Sequence, residues 1–275
     1  MKKITWILIL FILMGCTWKP TVGKPEDTGS QWWKTTVFYE VFIRSFYDSN
    51  GDGIGDLKGL TEKLDYLNDG DPNTTDDLGI TGIWLMPIHP SPSYHGYDVL
   101  NYYAINPEYG TLDDFRVFLN EAHKRGIRVI IDLVLNHSSN QHPFFQNALT
   151  GENAPYHDWY VWSDTYNGNG WHEATVGSEI KYYYGYFCDC MPDFNYANPA
   201  VTAQMEKVVS FWLEDVGVDG FRIDAAKHLF EKGTQLENVP ATHTWFKEFY
   251  PFYKSINQEA YIVGEVAQSS ARLTT

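Results

Sequence analysis

The chain alternates short, continuously apolar runs with longer runs whose apolar residues recur every three or four positions. The continuous runs cover residues 33–46, 80–86, 128–135, 221–223 and 261–265. Uninterrupted β-branched and aromatic runs are typical of strands buried on both faces of a parallel sheet, and helical runs between them supply the crossovers. This rhythm restricts the chain to the α/β class.

Four helices are predicted between these strands, over residues 57–67, 111–125, 199–216 and 242–257. Thr111 and Asp114 resemble a capping box, and Pro199 suits the first turn of a helix. Gly126 and Gly217 follow the last apolar positions of two helices, where glycine commonly ends them.

The helix and strand rhythm breaks between residues 138 and 197, a segment rich in Tyr, Trp, Asn, Gly and Pro. A connector of this length inside a compact domain is uncommon, so we expect a small folded insertion. It contains Cys188 and Cys190, which a single residue separates. We expect such a pair to be a poor disulfide and too few ligands for zinc, and interpret both as ordinary loop or core cysteines.

The first 15 residues are predicted to be an export signal. Lys2 and Lys3 precede an apolar run over residues 4–14, which is shorter than the about 20 residues that span a bilayer. Cys16 follows a small residue, and this resembles a bacterial lipoprotein signal in which Cys16 is lipidated. Residues 16–32 then read as a tether. We expect an exported protein anchored by lipid to the bacterial cell envelope, with plain secretion as the alternative.

Charge and aromatic content narrow the class of partner. The net charge of −15 argues against nucleic acid, whose phosphates the protein would repel. The chain carries 19 Tyr and 10 Trp, and aromatic faces stack on sugar rings as well as on bases. A carbohydrate ligand is therefore favoured, although most of these aromatic residues are expected to fill the core.

Polar side chains are concentrated where strands end. Arg222 precedes Asp224 by two residues, so both side chains lie on one face, and a guanidinium there keeps the carboxylate ionised at neutral pH. Such a carboxylate is a nucleophile or an electrostatic stabiliser; a structural salt bridge is the alternative. Glu265 ends the next strand, and in a barrel the two carboxylates would face one mouth, at the roughly 5 Å separation of retaining glycosidases.

An acidic loop follows the first strand, where a doubly wound sheet would carry a glycine-rich phosphate loop. Its oxygen-bearing residues alternate as in the first half of a calcium loop, but Gly59 stands where the closing Glu of an EF-hand would be. The candidate calcium ligands are Asp48, Asn50, Asp52, the carbonyl of Ile54 and Asp56. The alternative is a Gly/Asp turn that needs no metal.

Five segments, in this order, resemble signature regions of the α-amylase family, family 13 of the glycoside hydrolases. They are residues 95–98 (HGYD), 132–137 (DLVLNH), 191–195 (MPDFN), 220–228 (GFRIDAAKH) and 264–266 (GEV). The resemblance covers the chain from residue 33 onward. It implies a (β/α)8 TIM barrel of the α-amylase type with strands 1–5 present. Its first part would be residues 33–137, the inserted domain B residues 138–197, and the continued barrel residues 198–275.

The resemblance also implies roles for individual residues. Asp224 would be the nucleophile, Glu265 the general acid and base, and Arg222 the charge partner of Asp224. The implied substrate-binding residues are Tyr97, Asp98 and His137 at the sugar subsite and Lys227 and His228 on the leaving-group side. In many amylases the residue equivalent to Asn136 binds a structural calcium, and whether it does so here is left open.

The implied activity is retaining, endo-acting hydrolysis of α-1,4-glucosidic bonds in starch or maltodextrin. Residues 225–228 resemble the corresponding residues of α-amylases, whereas residues 191–195 resemble the motif of a group intermediate between oligo-1,6-glucosidases and neopullulanases. Exo action, branch cleavage and transglycosylation therefore stay open. A non-catalytic glycan-binding protein is a further alternative. The family's fourth region, a His–Asp pair after strand seven, is not among the 275 residues. We therefore expect a C-terminally truncated barrel that is inactive by itself, and its oligomeric state is left open.

Overall fold

The computed structural model describes residues 31–232 and 235–266. The predicted export signal and the lipidation site Cys16 lie outside the described residues, as does most of the tether. Among the described residues, no helix has both the length and the apolar character needed to cross a membrane.

Strands and helices alternate along the chain. The strands are β1 (Phe38–Val41), β2 (Gly82–Leu85), β3 (Arg128–Val134), β4 (Trp162–Ser163), β5 (Trp171–Val176), β6 (Glu179–Tyr184), β7 (Gly220–Asp224) and β8 (Tyr261–Gly264). The α-helices are α1 (Ile43–Phe46), α2 (Leu57–Glu62), α3 (Leu64–Leu67), α4 (Leu112–Lys124), α5 (Pro143–Ala148), α6 (Pro199–Ser210) and α7 (Pro240–Ile256).

Within the described residues, five parallel strands form one sheet in the order β1-β2-β3-β7-β8. The spatial order follows the chain without the reversal that marks a doubly wound sheet. The sheet also curls, because the rings of Phe38 on one edge and Tyr261 on the other lie 5.9 Å apart. This arrangement is the wall of a barrel, as the sequence predicts.

The two faces of the sheet have different chemistry. Ile83, Val129 and Phe221 point outward and are fully buried among the hydrophobic core residues. The alternate positions point inward, where Trp84 and Arg222 line a cavity of about 450 Å³. Because side chains alternate along a strand, the same strands supply an apolar core on one face and, on the other, a cavity in which Arg222 and Glu265 lie among aromatic and aliphatic side chains.

The first predicted strand is shorter than expected. Residues 33–46 contain a 3₁₀ turn (Trp32–Lys34), then β1, then α1. The strand is only partly buried, not covered on both faces, because it lies at the edge of the described sheet.

Two predicted helices also differ. The helix over residues 57–67 breaks at Lys63 into α2 and α3. The helix that begins at Pro199 leaves α-helical geometry after Ser210, continues as a π-helical segment (Phe211–Val216) and ends at Gly217 with φ +96°. The capping box at Thr111 and Asp114 is confirmed, with both reciprocal hydrogen bonds present.

Residues 138–197 fold, as expected, into a unit with its own sheet. Strands β4, β6 and β5 pair antiparallel in that order, beside α5. The expectation for the cysteines is wrong, because Cys188 and Cys190 form a disulfide. The chain turns between them so that their Cα atoms are 5.2 Å apart, inside the range that a disulfide spans.

Candidate active site

Arg222 is the centre of a cluster of three carboxyl groups, one inside β3, one at the end of β7 and one directly after β8. Its Nη1 lies 2.7 Å from Asp132 Oδ1 and 2.9 Å from Asp224 Oδ1, and its Nη2 lies 3.1 Å from Glu265 Oε2. Strand register explains the first contact, because Asp132 on β3 is the direct partner of Arg222 on β7. The predicted residues Arg222, Asp224 and Glu265 are therefore brought together, with Asp132 as a fourth member.

Asp132 is the member that sequence reasoning missed as a site residue. It is fully buried and accepts hydrogen bonds from Trp84 Nε1 at 3.1 Å and Tyr97 Oη at 3.2 Å. The rings of Trp84 and Tyr97 also lie under the guanidinium of Arg222, at 5.0 and 5.8 Å. A lone acid inside the apolar run of β3 is a signal that could have identified it, since an unpaired buried charge is costly.

Burial sets the protonation of these carboxyls. It raises the pKa of Asp224 to about 6, against the attraction of Arg222, while the nearby Glu265 carboxyl raises it further. Burial likewise raises the pKa of Asp132 to about 7, again opposed by Arg222. Arg222 thus favours the ionised form of Asp224, as the sequence analysis expects of a guanidinium, but burial outweighs it and the pKa lies above that of an exposed aspartate.

Asp224 and Glu265 differ in access to solvent. The Asp224 side chain is 13% exposed and the Glu265 side chain 43%. The backbone N–H of Ala225, which directly follows the nucleophile candidate in a left-handed conformation (φ +49°), donates to Glu265 Oε2 at 3.2 Å. One carboxylate is therefore enclosed behind Arg222, and the other lies nearer the mouth.

The loop after β2 supplies the predicted residues Tyr97 and Asp98. Asp98 is buried and accepts hydrogen bonds from the hydroxyls of Ser91 and Ser93. Ser93 also contacts His95 Nδ1 at 3.1 Å. These contacts hold Asp98 through two serine hydroxyls, with His95 Nδ1 3.9 Å from its Oδ1.

His137 is buried beside this loop. Burial lowers its pKa to about 4, and Asp98, His95 and His228 are close enough to act on it electrostatically. Its Nε2 is buried with no hydrogen-bond partner. A neutral imidazole with an unused nitrogen has the chemistry needed to bind a sugar hydroxyl.

Lys227 and His228 lie in a 3₁₀ turn (Ala226–His228) directly after β7. Lys227 Nζ is 2.7 Å from Glu237 Oε2, and His228 Nε2 is 3.7 Å from the same oxygen. Glu237 was not foreseen from the sequence, since no motif contains it. The pKa of His228 is lowered, chiefly by burial.

A second group of buried acids lies next to Asn136. Asp193 is buried, hydrogen-bonds with the side chain of Asn136, and has an Oδ2 with no hydrogen-bond partner. Burial, together with the charge of Glu231, raises the pKa of Asp193 well above its usual value. An orphaned buried carboxylate oxygen beside an amide is a donor set that fits a hard cation such as calcium.

The acidic loop after α1 presents oxygen donors only. Asp48 accepts the backbone N–H groups of Gly51 at 2.7 Å and Gly53 at 2.8 Å, and these bonds lower its pKa, the bond from Gly53 most. Asp56 caps α2 by accepting the N–H of Gly59 at 2.6 Å. The donor set fits calcium by its chemistry, and the turns that order it do not themselves need a metal.

Comparisons with known proteins give a consistent result. A model of the α-amylase catalytic domain matches residues 40–275. Alpha-amylase 3 from Dictyoglomus thermophilum is 45% identical over 267 residues, which are 96% of this chain and 48% of that protein. The trehalose synthase/amylase TreS from Mycolicibacterium smegmatis is 47% identical over 238 residues, which are 81% of this chain and 38% of that protein.

A solved structure agrees with the sequence matches. The crystal structure of the α-amylase from H. orenii superposes with a TM-score of 0.75 at 49% identity, covering 85% of this chain and 48% of that one. The chain spans less than half the length of each of these relatives.

Proposed function

This chain belongs to the α-amylase family of glycoside hydrolases, and we propose that the protein hydrolyses α-1,4-glucosidic bonds in starch and maltodextrins with retention of configuration. The observation that supports the proposal most is the arrangement of Asp224 and Glu265. They end adjacent strands, and both contact the guanidinium of Arg222.

In the proposed first step, Glu265 donates its proton to the glycosidic oxygen while an Asp224 carboxylate oxygen attacks the anomeric carbon. The bond to the leaving sugar breaks, the sugar departs with a free hydroxyl, and a glycosyl ester with Asp224 forms. In the second step Glu265, now a carboxylate, takes a proton from water, whose oxygen attacks the anomeric carbon and frees Asp224. Arg222 stabilises the Asp224 carboxylate before attack and after release.

Substitution of either carboxyl in the complete protein tests this mechanism. We expect Glu265→Gln to lower kcat on maltoheptaose by about 10²- to 10⁴-fold, the usual size of general acid catalysis, and Asp224→Asn to prevent formation of the glycosyl ester. Asp113→Asn, at a side chain 89% exposed, is the matched control and should leave kcat unchanged. The first-formed product, followed by NMR, should be the α-anomer; a β-anomer would rule out this mechanism.

Transglycosylation is the second candidate, because the matched relative TreS is named as both a trehalose synthase and an amylase. A sugar hydroxyl would then replace water in the second step. Product analysis with maltoheptaose separates the two, since oligosaccharides longer than the substrate, or a rearranged disaccharide, indicate transfer.

We further propose that calcium binds through Asp48, Asn50, Asp52, the Ile54 carbonyl and Asp56, and that Asn136 and Asp193 are candidates for a second calcium. The oxygen-only donors of the loop and the orphaned Asp193 Oδ2 support this. Calcium would supply only structural order in the loop, and no step above passes through it.

We also propose that Cys16 is lipidated and that the protein is held on the cell envelope. Support comes from the sequence of residues 1–16 alone. Metabolic labelling with a fatty acid that persists after Cys16→Ser would contradict it.

A further inference from the structure

Two neighbouring aromatic side chains lie exposed over the histidines of the site. Tyr186 and Phe187 are 38% and 47% exposed. The Tyr186 ring lies 4.2 Å from the ring of His228, and the Phe187 ring lies 5.3 Å from His137 and 5.6 Å from His228. The two ring centroids are 5.0 Å apart and the rings are nearly perpendicular, at 81°, so together they form an apolar corner, here called the aromatic platform.

The loop that carries the platform is fixed on both sides of it. On the side before it, Gly185 approaches the backbone so closely that an added Cβ would lie 2.6 Å from the Cys188 carbonyl oxygen. On the side after it, the Cys188–Cys190 disulfide closes the loop tip. The carbonyl oxygens of this tip accept hydrogen bonds from neighbouring segments, from Tyr183 Oη to Asp189 at 2.6 Å and from Asn140 N to Cys190 at 2.8 Å.

We propose that the aromatic platform stacks against the sugar on the leaving-group side of the scissile bond, and that the Cys188–Cys190 disulfide holds the platform in place. This inference rests on the proposed function and adds to it a residue pair that determines specificity. Tyr186 and Phe187 would bind the leaving-group sugar, and the disulfide would act through them as a positioning element.

The contacts of the platform indicate on which side of the scissile bond it lies. Both rings pack on His228, which the family resemblance assigns to the leaving-group side together with Lys227. Phe187 alone also reaches His137, which the resemblance assigns to the sugar subsite. The platform therefore contacts both histidines, and His228 through both of its rings. Neutral aromatic faces match the apolar C–H face of a glucose ring.

The disulfide lowers the cost of binding in this scheme. A surface loop that orders only when the sugar arrives loses conformational entropy at that moment, and a loop fixed beforehand does not. A covalent ring across three residues of the tip limits the conformations of the segment that carries Phe187. The disulfide should therefore affect KM for substrates whose leaving group reaches the platform.

Two glycosyl-donor substrates, assayed with the complete protein, test the inference. The leaving group of maltotetraose is a sugar, and that of α-maltosyl fluoride is fluoride. We expect Phe187→Ala to lower kcat/KM for maltotetraose by about 10-fold more than for the fluoride, a size typical of one aromatic contact. Phe187→Trp should restore it. Tyr166→Ala removes a tyrosine that is 62% exposed in the same insertion and serves as the matched control. It should leave kcat/KM for each of the two substrates at its wild-type value.

The disulfide is tested by the double variant Cys188→Ser/Cys190→Ser. It should raise KM for maltotetraose by about 2- to 10-fold, the cost of ordering one or two side chains, with kcat nearly retained. If the wild type is active and Phe187→Ala lowers kcat/KM equally for both substrates, the platform proposal is overturned, whereas the proposed function is not. A wild type inactive on both donors would overturn the proposed function and the platform with it.

Discussion

At the scale of the residue, the site depends on one cation shared among three carboxylates. Arg222 contacts Asp132, Asp224 and Glu265 at 2.7–3.1 Å, so the charge of each acid influences the others. Groups coupled in this way titrate together rather than singly. Asp132 is fully buried and thus acts on Asp224 through Arg222, by orienting the guanidinium.

Asp132→Asn tests this positioning role. Burial keeps Asp132 largely protonated at the pH where Asp224 titrates, so the substitution removes little charge there, and the pKa of Asp224 should stay at about 6. The acid limb of the kcat/KM profile of the complete protein should then stay in place, while kcat falls because Arg222 is oriented less firmly. An acid limb that moves to lower pH would instead show that Asp132 is ionised while Asp224 titrates, and an unchanged kcat would contradict the positioning role.

At the scale of the element, two glycines lie before and at the start of the strand that carries the nucleophile candidate, and they differ in what surrounds them. Gly217 ends the π-helical segment at φ +96°, and a Cβ there would have no atom within 4 Å. A Cβ on Gly220 would lie 1.7 Å from the carbonyl oxygen of Tyr261 on β8. The first glycine is needed for its backbone angle, the second for close strand pairing.

Alanine at these two positions should therefore have unequal effects. Gly217→Ala should cost about 1 kcal/mol of unfolding free energy, the usual difference for a left-handed position. Gly220→Ala should cost about 3 kcal/mol or more, since rigid backbone must move apart. It should also reduce activity, because β8 positions Glu265. Thermal unfolding and kcat of the two variants check this, and equal shifts in Tm would contradict it.

The acidic loop is an element whose metal dependence can be measured directly. If calcium binds there, excess calcium should raise the Tm of the complete protein and EGTA should lower it, because a ligand that binds only the folded state stabilises it. Asp52→Ala should diminish this difference. Asp71→Ala, in another exposed acidic turn, is the control and should preserve it. A Tm that calcium and EGTA leave unchanged would favour a turn without metal.

At the scale of the whole molecule, the sequence predicted the architecture better than the details. Continuous apolar runs located all five parallel strands, and the family resemblance is confirmed as a partial α-amylase-type barrel with a parallel sheet and an antiparallel insertion. The break at Lys63 and the π-helical segment were missed because local packing, rather than apolar spacing, decides them. The Cys188–Cys190 disulfide was missed because it depends on a turn that spacing alone does not reveal.

Three buried histidines should make stability depend on pH. Burial lowers the pKa values of His89, His137 and His142 to about 4, against about 6.5 in an unfolded chain. Between these values the unfolded state binds protons on these histidines that the folded state does not, so the histidines lower the free energy of unfolding as pH falls from 6.5 to 4. The carboxyls of Asp132, Asp224 and Asp193, whose pKa values burial raises, act in the opposite direction over this range. Each histidine contributes at most about 1.4 kcal/mol per pH unit, and nothing above pH 7.

Chemical denaturation of the complete protein across pH 4–7 measures this slope. His89→Gln should reduce it, because one of the three titrating groups is removed. His243→Gln, at an exposed position, should leave it unchanged. The same slope in His89→Gln and in the unchanged protein would show that His89 is protonated equally in both states.

The insertion also has a consequence for the speed of folding. Asp132 and Arg222 pair across 90 residues of chain, a separation that makes a contact slow to find. Yet the insertion begins and ends side by side, because Phe194 N donates to the Asn136 carbonyl at 2.8 Å and Tyr196 Oη to the Leu135 carbonyl at 2.7 Å. Once that unit has formed, only about 25 residues remain to be closed before β7 meets β3. Early folding of the insertion should therefore shorten the loop that must close and speed the pairing of β3 with β7, which brings Asp132 and Arg222 together.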